Sequence, residues 1–208
     1  MNMERQAAME KLNDLVGREV HDLAKEYGVE VRGPKGGTNK GWAGQAFERY
    51  LGKQPDSHQE PDFMGSDGPW ELKVIPLKYR KDGNLVFKET MAITMINKDQ
   101  VGGNEFKDSH LLEKLNGIIV ARIVGSSLVE PSYVHSANIL ELQGSLYEKV
   151  KKDYDDVRSC INDPNQGFDA LTGKMGKYIQ PRTKGAGHGS TSRAFYARKG
   201  FLAEFIQL

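Results

Sequence analysis

The sequence predicts a mixed α+β domain, and three observations predict it. Apolar residues recur at helical spacing near the N-terminus, the period changes to alternation around residue 70, and an apolar, β-branched run occupies residues 117–124. Met9, Leu12, Val16, Val20, Leu23 and Ala24 form one helical stripe and Gly28 supplies a stop, so residues 4–27 read as a single amphipathic helix. Residues 33–39, rich in Gly and Pro, are a loop. A second helix runs from about residue 41 to 51 and ends at Gly52, with Trp42, Ala46 and Tyr50 on its apolar face. Residues 53–69, rich in Pro, Gly, Asp and Ser, read as irregular.

Trp70, Leu72 and Val74 alternate with Glu71, Lys73 and Ile75 before Pro76, which reads as a strand. The loop Lys81-Asp82-Gly83-Asn84 separates it from a second strand at residues 85–96, making an antiparallel pair. Residues 117–124 (GIIVARIV) read as a buried strand and residues 138–160 as a polar-faced helix. Residues 173–208 mix short strand-like runs with Gly-rich turns.

A chain of 208 residues can build one substantial core or two small lobes. Hydrophobic residues make up 38% and charged residues 27%, the balance of a folded chain and not of a disordered one. No apolar run approaches the roughly 20 residues of a membrane span, and the first residues lack the apolar stretch of a signal peptide. One cysteine, Cys160, excludes an internal disulfide and a multi-cysteine zinc site; it reads as a packing residue on a helix. The expectation is an intracellular, cytoplasmic protein with no membrane partner. His21, His58, His110, His135 and His188 show no paired metal spacing, and Gly185-Ala186-Gly187-His188-Gly189 lacks the ending of a phosphate loop.

The net charge is only +1, but its distribution is uneven. Between Asp169 and Glu204 there is no acidic residue, while Lys174, Lys177, Arg182, Lys184, Arg193, Arg198 and Lys199 fall there. Such segregation lets a near-neutral protein hold a polyanion through one region. The plain alternative is a solvated basic face, against which stand the interleaved Tyr178, Phe195 and Tyr196.

The stretch that carries chemistry is Pro61-Asp62 followed by Glu71-Leu72-Lys73. On a strand, Glu71 and Lys73 project from one face and Leu72 from the other. Two carboxylates and the carbonyl of Leu72 make an oxygen-rich site suited to Mg²⁺. A lysine beside it can orient or help deprotonate a water and offset phosphate charge. Asp followed by Glu-x-Lys is the nuclease pattern of the restriction-enzyme-like fold, although Glu-x-Lys also occurs as a simple ion pair on exposed strands. Here the charged pair interrupts an otherwise apolar strand.

Three segments then occur in order. They are Asn39-Lys40-Gly41-Trp42-Ala43-Gly44-Gln45-Ala46-Phe47-Glu48 with Leu51-Gly52; Pro61-Asp62-Phe63 leading to Trp70-Glu71-Leu72-Lys73-Val74-Ile75-Pro76; and Gly176-Lys177-Tyr178-Ile179-Gln180-Pro181-Arg182-Thr183-Lys184 with Arg193-Ala194-Phe195-Tyr196-Ala197-Arg198-Lys199. Together they resemble the MutH family of DNA repair nicking endonucleases and the related type II restriction enzymes that cut GATC. The resemblance implies a restriction-endonuclease-like α/β core in two lobes around a DNA cleft. Its catalytic lobe would span about 1–125 and its DNA-recognition part about 126–208. It implies Mg²⁺ as cofactor, with Mn²⁺ able to substitute, and double-stranded DNA as partner, with a transient dimer on DNA or an activating repair or defence protein.

By position, the resemblance makes Asp62 and Glu71, with the Leu72 carbonyl, the metal ligands and Lys73 the catalytic lysine. Glu48 becomes a further active-site carboxylate and Lys114 a second active-site lysine; the sequence alone reads Glu48 as a surface helix residue. Lys40, Arg182, Lys184, Tyr196, Arg198 and Lys199 fall at DNA-binding positions. Arg182 can fork onto guanine in the major groove or simply contact a phosphate. Lys40 and Lys199 suit phosphate contacts, and Tyr196 also reads as a groove-lining aromatic. Two features depart from the family: the longer Asp-to-Glu spacing through Gly65-Ser66-Asp67-Gly68-Pro69, and Thr183 where the nicking enzymes usually have proline. The expected activity is DNA hydrolysis at GATC, as a restriction enzyme or a repair nickase. Two other classes remain: a DNA-binding methylation reader without cleavage, and an enzyme on small phosphate esters that would show no salt-sensitive DNA binding.

Overall fold

The computed structural model describes residues 1–32, 37, 39, 41–53, 61–125, 131–185 and 191–206. Its elements, in chain order, begin with α1 (Arg5–Asn13), α2 (Val20–Glu26), α3 (Trp42–Tyr50), β1 (Phe63–Gly65), β2 (Gly68–Tyr79), β3 (Leu85–Phe87) and β4 (Met91–Met95). They continue with α4 (Lys98–Gly103), α5 (His110–Asn116), β5 (Ile118–Val124), β6 (Tyr133–Leu140), α6 (Gly144–Asn162), β7 (Ile179–Thr183), β8 (Arg193–Ala197) and α7 (Lys199–Ile206). Contacts divide the chain into two compact units, Met1–Glu89 with Gly117–Leu140, and Thr90–Asn116 with Glu141–Leu208. The fold is mixed α+β, as the change of period predicts. No described helix is long and apolar enough to cross a membrane.

The first unit holds a five-stranded mixed sheet in the order β1-β2-β5-β6, with β3 also on β2. β2 and β5 run parallel with Glu71 level with Ile118 and Ile75 level with Arg122; the other pairings are antiparallel. The apolar run of residues 117–124 becomes β5, buried along nearly all its length as its composition predicts. Leu72, Ile119, Ala121 and Ile123 of one sheet face pack with Leu12, Leu23 and Phe47 of the helices. Trp70 stacks on Phe63 at 4.1 Å and donates its indole N–H to the Met3 carbonyl at 2.8 Å.

The helix expected over residues 4–27 is two helices. Gly17, at φ 82°, turns the chain, and the Gly17 and Val20 N–H groups bond to Val134 and Ser132 carbonyls beside β6. The sheet edge supplies partners that compete with the helix ladder, and Val16, a member of the apolar stripe, is left 54% exposed. β2 also runs beyond Pro76. The Glu71 N–H bonds to Gly117 beside β5, so even-numbered residues of β2 aim their backbone groups at the opposite edge. Pro76 meets that edge only through its carbonyl, which accepts from Lys88 N–H at 2.9 Å; its missing N–H forgoes the reciprocal bond at the end of the β3 pairing and leaves the ladder to β5, on the other edge, untouched.

The expected strand over residues 85–96 is split between sheets: β3 pairs with β2, while β4 pairs with β8. Residues 138–140 belong to β6, and the helix expected to start there starts at Gly144.

The second unit holds an antiparallel sheet, β4-β8-β7. α6 buries Val150, Tyr154, Val157, Cys160 and Ile161 along one stripe. Tyr154 lies 5.4 Å from Phe106 and 6.0 Å from Phe195, ring to ring. Burial raises the Cys160 thiol pKa, which fits its expected packing role.

Candidate active site

The spacing between Asp62 and Glu71 is absorbed by a hairpin that the composition of residues 53–69 concealed. β1 and β2 pair Phe63 with Trp70, Met64 with Pro69 and Gly65 with Gly68, leaving Ser66 and Asp67 as a two-residue turn. Asp67 is tied to the Arg5 guanidinium, and Ser66 donates its N–H to the Glu4 carboxylate at 2.9 Å. One further step along the register sets Asp62 opposite Glu71. Residues added in pairs, one to each arm, lengthen the hairpin and leave the carboxylates level.

Four charged side chains gather here in two ion pairs. Lys73 Nζ lies 2.6 Å from Glu71 Oε2, and Lys53 Nζ lies 2.7 Å from Asp62 Oδ1. The four formal charges balance, with the two carboxylates between the two ammonium groups. All four side chains are at least 70% buried, where charges need partners. Asp62 Oδ2 lies 3.4 Å from the Leu72 N–H. The Leu72 carbonyl leaves the strand on this same edge, toward Asp62. Among the described residues, β1 covers this edge at residues 68–70 and β3 at residues 77–79. The stretch between them carries no strand partner, so backbone oxygen is presented beside two carboxylates.

That donor set, two carboxylates and one carbonyl, is of the kind that suits a hard divalent cation. Among the described residues no group of three or more His, Cys, Asp or Glu converges as a metal site. Glu48 lies half-buried on the last turn of α3. Lys114 is half-buried on α5, in the second unit. Lys40 lies outside the described residues.

Lys53 was not singled out by the sequence. α3 ends with Gly52 at φ 94°, its N–H bonded to Arg49 O and the Lys53 N–H bonded to Glu48 O at 2.9 Å. This is a Schellman turn, the left-handed glycine folding the next residue back across the helix end. The signal for it, a helix stop at Leu51-Gly52, is in the sequence; the partner of the following lysine is not.

Farther along the same face, level with Ile75, sits Arg122, 6% exposed. It donates to Asn138 Oδ1, and its Nε finds no partner among the described residues. Burial holds its pKa below the ordinary arginine value. Burial, and then the Arg122 charge, lower the pKa of His135.

The basic residues of the second unit fall into distinct settings. Arg182, on β7, stacks on the Tyr196 ring at 4.9 Å and donates to Thr90 Oγ1 at 3.0 Å, with the residue exposed. Lys184 and Lys199 are exposed. The Arg198 guanidinium instead donates to the carbonyls of Gly173, Met175 and Gly176 at 2.7–3.1 Å, where it ties down the loop before β7. Residues 186–190, most of the Gly-rich stretch, lie outside the described residues.

The loop is held from its other side by Asp153, which sits in the apolar stripe of α6 and is 4% exposed. Its carboxylate accepts the N–H groups of Lys177, Tyr178 and Ile179, the first and third at 2.9 Å. A charged residue at a stripe position is the one sequence signal that could have marked it.

Residues 51–151 match the family model of the DNA mismatch repair enzyme MutH. The matched residues include Lys53, Asp62, Glu71, Leu72, Lys73 and Lys114 and stop before Arg182. Relatives extend the likeness over most of the chain. The type II restriction enzyme Sau3AI of Staphylococcus aureus is 28% identical over 93% of this chain and 43% of its own. The DNA mismatch repair protein MutH of Haemophilus influenzae is 27% identical over 95% of this chain and 92% of its own. That of Shewanella woodyi is 27% identical over 89% and 78%. The chain thus spans under half the length of the restriction enzyme and most of the length of the repair proteins.

Proposed function

We propose that this chain is a divalent-metal-dependent DNA endonuclease whose catalytic group is Asp62, Glu71 and Lys73. The observation that carries the reading is the hairpin register, which brings Asp62 level with Glu71 at an edge of β2 that no described strand covers, next to Lys73. The likeness to a type II restriction enzyme and to mismatch repair proteins supports it. Asp62, Glu71 and the Leu72 carbonyl would hold Mg²⁺, with Mn²⁺ as a substitute. When bound, the ion supplies charge neutralisation at the phosphate and a more acidic water.

In the reaction, a water oxygen forms a bond to phosphorus, the bond from phosphorus to the 3′-oxygen breaks, and 5′-phosphate and 3′-hydroxyl ends result. Lys73, held by Glu71, is placed to orient the attacking water and offset charge developing on the phosphate oxygens. Glu48 and Lys114 complete the proposed set by the family resemblance. Arg182 would read a base, its guanidinium plane held by Tyr196 and Thr90, while Lys184, Lys199 and Lys40 would contact phosphates. GATC is the proposed target, with either a restriction or a repair role.

The test uses supercoiled plasmid carrying unmethylated, hemimethylated or fully methylated GATC, with Mg²⁺, beside the Glu71→Ala protein. Open circles from hemimethylated plasmid alone assign a repair-type nickase, and discrete linear fragments a restriction enzyme. Salt-sensitive binding without cleavage in Mg²⁺ or Mn²⁺ would make the chain a DNA reader. Cleavage that persists in Glu71→Ala would remove the chemistry from this site.

A further inference from the structure

We infer that Lys53 is a built-in competitor of the metal: its ammonium occupies Asp62 until a divalent cation displaces it, and so sets the metal concentration the site requires. The inference rests on the proposed reading that Asp62 and Glu71 take such a cation. Lys53 lies outside the Asp and Glu-x-Lys pattern, and the chemistry described above makes no use of it.

The geometry is specific. Lys53 Nζ is 2.7 Å from Asp62 Oδ1, with the lysine side chain 12% and the carboxylate 21% exposed. The Schellman turn at Gly52 holds the lysine backbone against the end of α3, so the ammonium is delivered from a fixed base. Asp62 Oδ2 meanwhile faces the Leu72 N–H, so both oxygens of this carboxylate face protein donors. A cation that takes Asp62 as ligand must draw Oδ1 away from Lys53 or bind beside an ammonium of like charge. Either route opposes binding.

The ammonium also has a reason to be there. Two carboxylates set level across a hairpin repel, and desolvation at this degree of burial amplifies the repulsion. With Lys73 on Glu71 and Lys53 on Asp62, the metal-free site is balanced pair by pair. Removing Lys53 therefore has two opposite effects. It destabilises the metal-free protein, by leaving Asp62 beside Glu71 with one cation fewer, and it tightens metal binding. A lysine that merely positioned Asp62 as a ligand would do the reverse to the metal.

The experiment measures Mn²⁺ binding to the whole chain without DNA, following free Mn²⁺ by electron paramagnetic resonance. Wild type, Lys53→Met, Lys53→Gln, Lys53→Arg and Asp62→Asn are compared, each with its thermal melt in the presence and absence of Mn²⁺. Lys53→Met and Lys53→Gln should lower the Kd by about 5- to 30-fold, the worth of one partly buried ion pair. Both should melt below wild type without metal and recover in saturating Mn²⁺. Lys53→Arg, which keeps the charge, should stay near wild type. Unchanged or weaker Mn²⁺ binding in both neutral variants overturns the competition and leaves the metal site standing. Wild type that binds Mn²⁺ no better than Asp62→Asn overturns the metal site, and the competition with it.

Discussion

Replacing Asp153 tests how the second unit holds its β7 strand. The carboxylate is 4% exposed and accepts three successive backbone N–H groups, those of Lys177, Tyr178 and Ile179. The Tyr178 and Ile179 bonds are buried, whereas the one from Lys177 is only partly so. Gly176 is bound into the same turn: at φ 70°, a Cβ there would stand 1.9 Å from the Ile179 carbonyl oxygen. No side chain can fill the gap from position 176. Asp153→Ala leaves two buried donors without partners, each costing about 1–3 kcal/mol, while the Lys177 N–H regains water. The expected loss is about 3–5 kcal/mol, read as a fall in Tm on the order of 10 °C for a chain of this size. Asp153→Asn keeps the shape and one acceptor, and should cost about half as much. Equilibrium unfolding in urea gives both values. A loss under about 1 kcal/mol in Asp153→Ala would mean that water replaces the carboxylate, and would refute the argument.

Two further outcomes follow from the geometry. His135 has its folded pKa lowered, first by burial and then by Arg122, so the folded protein takes up this proton less readily than the unfolded chain. Its contribution to stability is complete above the unfolded value of about 6.5 and is lost as pH falls through the folded pKa; Tm measured from pH 8 downward should fall more steeply in wild type than in His135→Gln. Parallel curves would show that His135 is not the group responsible. Arg182→Lys keeps the charge but removes the flat guanidinium stacked on Tyr196 and bonded to Thr90. Under the proposed function, binding to the target duplex should weaken by about 1–3 kcal/mol, with non-specific binding and its salt slope unchanged. Equal weakening on both duplexes would reduce Arg182 to a phosphate contact.

The local signals in this sequence proved sound wherever the chain alone decides. Gly52 ends α3, residues 117–124 form a buried strand, and the alternation at Trp70 to Ile75 is a strand with Glu71 and Lys73 on one face. Glycine stops, β-branched runs and a period of two act through backbone sterics and side-chain direction, which need no distant partner. The sequence also named Asp62, Glu71 and Lys73 before their geometry was known.

Tertiary structure decided what depends on competition for partners. The stripe of residues 4–27 has the periodicity of one helix, yet the β6 edge takes the backbone bonds of residues 17–20 and breaks it. Pro76 reads as a strand end, but its missing N–H faces away from β5 and forgoes only one bond at the end of the β3 pairing, so the strand runs on. The irregular composition before Trp70 hid a hairpin, because a two-residue turn with short arms leaves too few residues for alternation to register. The partners of Lys53 and Asp153 were not legible in the sequence for one reason. Each draws its role from a group far along the chain or across an element, Asp62 for the one and a row of backbone N–H groups for the other. A sequence states which charges exist; only the folded chain states which of them meet where water is too scarce to screen them.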